Sequence, residues 1–310
     1  MTGATTAGRA PRVTGYLFAL AAGATWGTTG ILSTALYSQG GTMASIGFWR
    51  VGLGAVGLAL YGLFHRDLFK IDARGWLIVG AAGGFLVALF EVAYQYAIVG
   101  AGVAGAAALL YVAPVVVAIL ARLVLGEALT PLRVILALAV MLGATLTVNG
   151  GDFTAVFSGG PSHFAGVVGG TLAMLSYAGT TLLARWSVPR YGSIRALFLE
   201  LFGGTVMMAI FLPLFHRSLA PASGPAAWGF TLAQVIGPVL GANFLFFAGV
   251  RRIDAAPTAV AATIEPVVAT LLALLLFGQQ LTPLGWIGLL LVVGGVAAGY
   301  WREGQARQGA

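Results

Sequence analysis

Long apolar segments separated by short polar connections make up most of this chain. Ten segments of 17 to 25 residues can be delimited. Because a helix rises about 1.5 Å per residue, roughly 20 apolar residues cross the hydrocarbon core of a bilayer. The pattern therefore predicts ten membrane-spanning helices, numbered here in chain order. They cover residues 13–36, 45–64, 75–99, 103–125, 132–148, 164–188, 194–215, 227–250, 257–277 and 284–300.

The starts of two predicted helices carry a local signal. Thr130-Pro131 and Thr282-Pro283 each place a hydroxyl residue before a proline. Threonine is a good N-cap, and proline is tolerated at the first helical position because its missing N–H would have no helical partner there. We therefore predict that helices 5 and 10 begin at these two prolines.

The second half of the chain repeats the first at a constant spacing of 152 residues. The matching pairs include Gly27 and Gly179, Trp76 and Trp228, Pro114 and Pro266, Gly126 and Gly278, and Gly143 and Gly295. Five spans per copy is an odd number, so the two copies must cross the membrane in opposite directions, as in many secondary transporters. The predicted fold is an all-α polytopic membrane protein with ten transmembrane helices. Its two inverted five-helix repeats cover 13–150 and 163–302, with tails at 1–12 and 303–310.

The first segment has an alternative interpretation. Arg9 and Arg12 precede it, and small residues follow within it, as in a cleaved signal peptide. Its counterpart around Gly179 lies in the middle of the chain, and both copies are needed to complete the repeats. We therefore predict that the first segment is a permanent helix.

Composition excludes an ordinary soluble protein. Hydrophobic residues make up 59% of the chain and charged residues 8%, against about 25% charged in soluble domains. There is no cysteine, and the three histidines lie far apart at predicted helix ends. Gly52 to Gly57 matches a dinucleotide-binding fingerprint, but it lies inside an apolar span and lacks the required strand. We expect no enzyme, no metal and no cofactor.

The positive charges predict the orientation. Fourteen of the 16 lysines and arginines fall on one side of the predicted topology. Because basic loops mark the cytoplasmic side, both termini are expected in the cytoplasm. The net charge of +7 then indicates contact with anionic lipids and not with nucleic acid.

Two proline-interrupted helices indicate where a site would form. Glu265 is about ten residues from either end of predicted helix 9 and directly precedes Pro266. A proline leaves the carbonyl four residues earlier without its helical partner, and Pro114 has the same position in the first copy. An acid in mid-membrane is costly and by default marks a cavity or pathway. We expect Pro114 and Pro266 to break their helices, with a helix-break or gating role.

Polar and aromatic residues share one side of several spans. Glu91, Tyr94 and Gln95 lie on one side of helix 3, and their repeat partners are Asn243, Phe246 and Phe247. Each aromatic taken singly more often packs in a core. Because they occur together with acids at mid-membrane depth, the group is a stronger candidate for a binding site than any one of its members. The predicted substrate-binding residues are Trp26, Glu91, Tyr94, Tyr111, Tyr177, Asn243, Phe246 and Glu265.

Three other charges near or within the spans are expected to be structural. Arg50 lies near the end of helix 2 and Glu200 about two turns inside helix 7, while Glu127 ends helix 4 and has Gln279 as its repeat partner. Arg50 is the most plausible exception, because a carboxylate substrate needs a cationic or helix-dipole partner.

The chain resembles the EamA branch of the drug/metabolite transporter superfamily, and within it the bacterial amino-acid exporters of the YddG type. The resemblance rests on Trp26-Gly27, Arg50, Tyr96-Ala97, Pro114, the stretch 125–130, the stretch 264–268 and the stretch 278–282. It implies helices 1 to 4 and 6 to 9 around a central cavity, with helices 5 and 10 outside. Gln279 departs from the acid that the family commonly has in the second copy.

These observations predict an exporter of neutral amino acids, including aromatic or large aliphatic ones, and related metabolites. It would work by secondary or facilitated transport with alternating access in the bacterial inner membrane, with a small-molecule substrate and membrane lipids as its partners. A multidrug or organic-cation exporter remains the main alternative, because midplane acids and aromatics also suit cations. A lipid scramblase and a membrane scaffold are further alternatives. The oligomeric state is left open.

Overall fold

The computed structural model describes residues 9–150, 161–278 and 280–305. Gln279, the loop around Ser158 and residues 1–8 and 306–310 of the tails lie outside this range. The helices are Arg9–Trp26, Thr29–Ser38, Met43–Phe64, Ala73–Gly75, Trp76–Gly83, Gly84–Leu110, Ala113–Leu125, Pro131–Asn149, Pro161–Tyr191, Ser193–Leu214, Pro225–Gln234, Val235–Gly241, Ala242–Val250, Ala255–Ala262, Glu265–Phe277 and Pro283–Gln305. Trp76–Gly83 and Val235–Gly241 are π-helical, and Arg66–Phe69 is a short 3₁₀ helix.

Nine stretches of the described residues are long and apolar enough to cross a membrane. We call them spans 2 to 10: Met43–Phe64, Ala73–Ala101, Gly105–Leu125, Pro131–Asn149, His163–Tyr191, Ser193–Leu214, Pro225–Val250, Ala255–Leu276 and Pro283–Arg302. Span 1 consists of the two helices Arg9–Trp26 and Thr29–Ser38. Large apolar side chains such as Leu123 and Leu275 are exposed on the outside of the bundle, as a lipid-facing surface requires. The predicted all-α polytopic fold of about ten helices is confirmed.

Spans 4 and 9 break where the prolines predict. The helix before Pro114 ends at Leu110, and the helix before Pro266 ends at Ala262. A new helix then starts with the proline at its second position, because proline cannot continue the earlier hydrogen-bond ladder. Each span thus contains a helix N-terminus in the middle of the bundle.

Span 1 also breaks, which differs from the single predicted helix 13–36. The interruption lies at Gly27 and Thr28. A Cβ atom at Gly27 would lie 2.8 Å from the carbonyl oxygen of Glu265, and Gly23 packs directly on the backbone of Ala262. The break in span 1 therefore lies against the break in span 9, and only residues without a side chain permit that approach.

The connection between spans 3 and 4 is tighter than predicted, because helical structure continues through Gly84–Leu110. Gly169 lies against Ala97, and its neighbour Gly170 lies against Leu109. A straight helix would separate Ala97 from Leu109 by about 18 Å. The chain must therefore turn back between them, so the two spans are antiparallel neighbours.

The ends of the spans meet in two groups of loops. At one end the Tyr191 hydroxyl donates to Asp72 over 3.0 Å, and Arg185 contacts Glu127 at 3.1 Å. We call this end the basic end, and it is formed by residues 65–74, 126–130, 185–195 and 251–254. At the opposite end Trp49 Nε1 donates to the Leu219 carbonyl over 2.8 Å. This grouping agrees with five spans per repeat.

Asp72 ties the loop before span 3 to span 6 at the basic end. It caps the helix Ala73–Gly75 by accepting from the Gly75 amide over 2.9 Å, and it also accepts from Tyr191. The pKa of the Asp72 carboxyl is lowered below its usual value, mainly by the hydrogen bond from the Gly75 amide and next by the hydrogen bond from Tyr191. The carboxyl therefore remains an ionised acceptor in this contact at neutral pH.

Spans 5 and 10 pair with each other beside the other spans. Both begin at the predicted Thr-Pro signals, with the hydroxyls of Thr130 and Thr282 capping them. A Cβ atom at Gly143 would lie 2.7 Å from the Gly288 carbonyl oxygen, so the two backbones are in close contact. The remaining spans form the bundle in which the site lies.

Candidate functional site

A cavity of about 260 Å³ lies between the two repeats. Spans 1, 2, 3, 6, 7, 8 and 9 line it, with Leu110 next to the break in span 4, and spans 5 and 10 contribute none of the lining side chains. This arrangement agrees with the central cavity that the family resemblance implies.

Seven of the eight predicted substrate-binding residues line this cavity: Trp26, Glu91, Tyr94, Tyr177, Asn243, Phe246 and Glu265. The repeat partners on spans 3 and 8 therefore face a common space. The repeat had suggested this relation, because the same side of both spans is polar or aromatic. The side chain of Gln95 lies outside the description.

Tyr111 departs from the expectation. It lies in the turn that follows the helix Gly84–Leu110, and its side chain packs against a separate core cluster that includes Val140 and Val267. It is in the break of span 4, just before the helix Ala113–Leu125 that carries Pro114. Pro114 and Pro266 shape the backbone at the breaks and are not among the lining residues.

One wall of the cavity is aromatic. The Trp26 ring lies 5.2 Å from that of Phe246 and 6.4 Å from that of Tyr177, measured between centroids. Trp26 Nε1 donates to the carbonyl of Pro238 over 3.0 Å, which fixes the indole of span 1 on span 8. Such a wall offers a large apolar surface with little freedom to move.

Arg50 and Glu91 form an ion pair inside the cavity. It joins spans 2 and 3, and the two side chains are 18% and 13% exposed. The expectation that Arg50 is merely structural is thus incomplete, since its guanidinium lines the cavity. The signal was present in the sequence, because Arg50 and Glu91 are opposite charges within neighbouring spans and each is costly alone.

Glu265 occupies the helix N-terminus that Pro266 creates. It is in the first turn of the helix Glu265–Phe277, where the helix dipole favours a negative charge. No hydrogen bond or ion pair connects its carboxyl group to another of the described residues. The N-terminus that could have met a substrate carboxylate therefore carries an acid of its own, which leaves Arg50, among the described residues, as the cation that faces the cavity.

Glu200 is a functional candidate that the sequence argument missed. It was expected to be structural, yet it lines the cavity together with Leu197, three residues before it, and Leu201, the next residue. It is only 5% exposed, and its Oε1 has no hydrogen-bond partner in the described part of the chain. Its depth within an apolar span was the available signal.

An ion-pair network closes the basic end. Glu127 accepts from Arg185 Nε over 3.1 Å and from the Ala255 amide over 3.0 Å. Asp254 accepts from Arg185 Nη2 over 2.9 Å and from Arg133 over 2.6 Å. Glu127 was expected to be structural, and these contacts give it that role: it joins the first repeat to the start of span 9.

A small apolar layer separates this network from the cavity. Its members come from spans 4, 6 and 9: Val117, Ala121, Ala178, Leu182, Ala255 and Ala259. Leu182 directly follows the cavity residue Thr181, and Arg185 lies one turn further towards the basic end. The cavity is therefore closed on the basic side. Beyond its break, span 9 packs instead on spans 1, 5 and 10.

Comparison with known proteins identifies the family of this chain. The sequence matches the EamA-like transporter family twice, over residues 13–149 and 164–300. The protein belongs to the EamA-like transporter family. The two matches confirm the internal repeat that the 152-residue spacing indicates.

Two relatives extend over nearly the whole chain. The uncharacterized transporter YwfM of Bacillus subtilis is 26% identical, covering 90% of this chain and 91% of its own length. An uncharacterized transporter of Archaeoglobus fulgidus is 28% identical, covering 88% and 92%. A protein crystal structure superimposes with a TM-score of 0.74 at 21% identity, covering 93% of this chain and 98% of that one. This EamA-family chain thus shares its fold with a known structure and its transporter assignment with both relatives.

Proposed function

We propose that this EamA-family protein exports neutral amino acids, including aromatic and large aliphatic ones, and related small metabolites. The observation that supports the proposal is a cavity between the repeats that combines one arginine, separate carboxyl groups and an aromatic wall. On this proposal the protein lies in the bacterial inner membrane with the basic end and both termini in the cytoplasm, as the charge pattern predicts.

The cavity chemistry suits a zwitterion. A carboxylate can form two charge-assisted hydrogen bonds with the Arg50 guanidinium, in competition with Glu91. An ammonium group can bind to Glu265, which has no partner among the described residues. The side chain would then lie against Trp26 and Phe246, which select for apolar character and not for one shape. A volume near 260 Å³ is below the roughly 300–1,000 Å³ of pockets for drug-sized ligands and favours a small metabolite.

The inverted repeats support alternating access as the mechanism. The cavity is closed at the basic end by the apolar layer and the Arg185 network. Because the repeats are inverted, exchanging their conformations would close the opposite end and open the basic end. The broken spans 4 and 9 supply the places where the two halves of a span can tilt separately.

An organic-cation exporter is the second candidate. The acids Glu265 and Glu200 beside aromatic rings would attract a cation. Arg50 in the same cavity weighs against it, because a cationic ligand would have no use for the guanidinium. A lipid scramblase is less favoured, since the cavity lies within the bundle and not along its lipid-facing surface.

Counterflow in proteoliposomes tests the proposal. Vesicles loaded with unlabelled phenylalanine should take up external labelled phenylalanine, and unlabelled leucine and tryptophan should compete while lysine and glutamate do not. Protein-free vesicles processed in parallel are the control. Competition by monovalent organic cations with none from amino acids would replace the proposal with the organic-cation alternative.

A further inference from the structure

Glu200 is the buried carboxyl group that the proposed substrate contacts leave unused. It lies seven residues from the start of the helix Ser193–Leu214, about 10 Å from the basic end. Its Oε1 is buried without a hydrogen-bond partner in the described residues, and the side chain lines the cavity. The Arg185 network with Glu127 and Asp254 lies at the basic end, beyond this position. Glu200 is therefore near the closed inner limit of the cavity.

Few charged groups of the described residues lie around Glu200. The helices packed against span 7 present Arg50, Glu91, Tyr94 and Tyr177 to the same cavity, and Glu265 faces it from span 9. Arg50 and Glu91 are paired with each other. The neighbouring segments Trp76–Gly83 and Ala242–Val250 contain no titratable side chain. The other titratable residues of span 7 and of the elements packed against it lie towards the two ends of the bundle: Tyr61, Arg66, Asp67, Arg185, Arg190, Tyr191 and Arg195 at the basic end, and Tyr96 and His163 at the other.

The backbone beside Glu200 is irregular and closely packed. A Cβ atom at Gly83, at the end of the π-helical segment, would lie 3.3 Å from Glu200 Cγ. Gly84 packs directly on the backbone of Gly203, one turn further along span 7. π-helical turns are frequent at functional sites. A small shift of span 3 against span 7 would change how much water reaches the carboxyl group.

An isolated carboxylate without a partner is strongly unfavourable in a water-poor interior, whereas a neutral carboxylic acid is tolerated. The same group ionises readily once water or a cation reaches it. A residue placed in this way binds a proton in one conformation and releases it in the other, which is what coupling between a proton and a solute requires.

We propose that Glu200 is the proton-binding residue of a proton-coupled export cycle, an inference that rests on the proposed function. In the conformation closed at the basic end, a proton from the opposite side adds to the Glu200 carboxylate through the cavity. When the basic end opens, the O–H bond breaks and the proton passes to cytoplasmic water as the amino acid enters. One proton moves inwards for each neutral amino acid that leaves.

The test compares Glu200→Gln with wild type and with Asp67→Asn, a control that removes an exposed carboxyl group in a basic-end loop. In proteoliposomes with a pH gradient and no substrate gradient, wild type and Asp67→Asn should accumulate phenylalanine against its gradient. Glu200→Gln should lose that accumulation, yet retain phenylalanine counterflow at equal pH, since exchange needs no net proton movement. Retained counterflow also shows that the variant is folded.

Infrared difference spectra of the purified proteins between acidic and alkaline buffer give a second readout that needs no substrate. Wild type and Asp67→Asn should share a protonated-carboxyl component that Glu200→Gln lacks, while the components of the other carboxyl groups remain. If this component is found while no amino acid shows counterflow, the proton site stands and the proposed substrate class fails.

Three results would overturn the proposal. They are an unchanged infrared component in Glu200→Gln, pH-driven accumulation by Glu200→Gln equal to wild type, and wild-type counterflow that responds to a sodium gradient but not to a pH gradient.

Discussion

Arg50 is the residue on which the substrate assignment depends most. Among the described residues its guanidinium is the cationic group that faces the cavity, and it forms an ion pair with Glu91. Replacing Arg50 by Gln should raise the KM for phenylalanine by about tenfold or more, because charge-assisted hydrogen bonds contribute ~1.5–3 kcal/mol and 1.4 kcal/mol is a tenfold change. The KM of Arg50→Lys should lie between those of wild type and Arg50→Gln, since lysine keeps the charge but loses the bidentate geometry.

Removing Arg50 also leaves Glu91 unpaired, which can destabilise the fold by itself. The double variant Arg50→Gln with Glu91→Gln removes the whole pair and should restore expression while KM stays high. Arg217→Gln, in an exposed loop at the opposite end, is the matched control and should leave KM unchanged. A double variant with wild-type KM would show that the pair is structural.

At the residue level, the sequence predicts the site where two signals coincide. Glu265 stands beside a proline at mid-depth, and Asn243 stands opposite Glu91 in the repeat. Glu200 has neither signal. An almost wholly apolar span has no polar side to show which way a residue points, so its position in the cavity depends on packing against spans 2 and 3.

At the level of whole elements, Arg185 connects the two repeats at the basic end. Losing its contacts with Glu127 and Asp254 should favour the conformation that is open at that end. The expected size is ~1 kcal/mol for these partly exposed pairs, or about a fivefold change in population. The measurement is the labelling rate of Ala259→Cys, in the apolar layer, by a small thiol reagent in Arg185→Gln and in the parent.

Arg190→Gln serves as the control for that experiment, because Arg190 is an exposed arginine at the same end. Labelling of Ala259→Cys should be unchanged in its background. An equal labelling rate in Arg185→Gln and in the parent would mean that the network does not hold the basic end closed.

The elements differ in how far the sequence specifies them. The breaks in spans 4 and 9 follow from Pro114 and Pro266, because the cause lies in the residue itself. The break at Gly27 depends on the carbonyl of Glu265 in a distant span, so no local pattern shows it. The sequence does not mark the turn between spans 3 and 4 either, because the residues on both sides of it are apolar and helical.

At the scale of the whole molecule, the orientation in the membrane is the next prediction. The native chain has no cysteine, so single cysteines report on one position each. Gln39→Cys and Ser218→Cys, at the opposite end, should react with an impermeant thiol reagent in intact cells. Ala73→Cys, at the basic end, should react only after the membrane is opened. Reaction of Ala73→Cys in intact cells with protection of the other two would reverse the orientation.

The overall architecture is the part that the sequence predicts best. An odd number of spans per repeat determines the inversion without any contact being known, and glycines at equal spacing mark where backbones approach. The volume of the cavity and the closure of its basic end could not be predicted. They depend on side chains such as Val117 and Leu182 from spans far apart in sequence.

The central claim is that an amino acid crosses through the cavity between the repeats. Thr180→Cys places a thiol in the cavity wall, with little change in size and the loss of one hydrogen bond, to the Tyr177 carbonyl. Thr34→Cys, at an exposed position of span 1, is the matched control. The measurement is phenylalanine counterflow after treatment with a charged thiol reagent, with and without saturating phenylalanine. We expect the reagent to block Thr180→Cys and phenylalanine to protect it, with no effect on Thr34→Cys. Modification of Thr180→Cys that leaves counterflow intact, or that phenylalanine does not slow, would contradict the account.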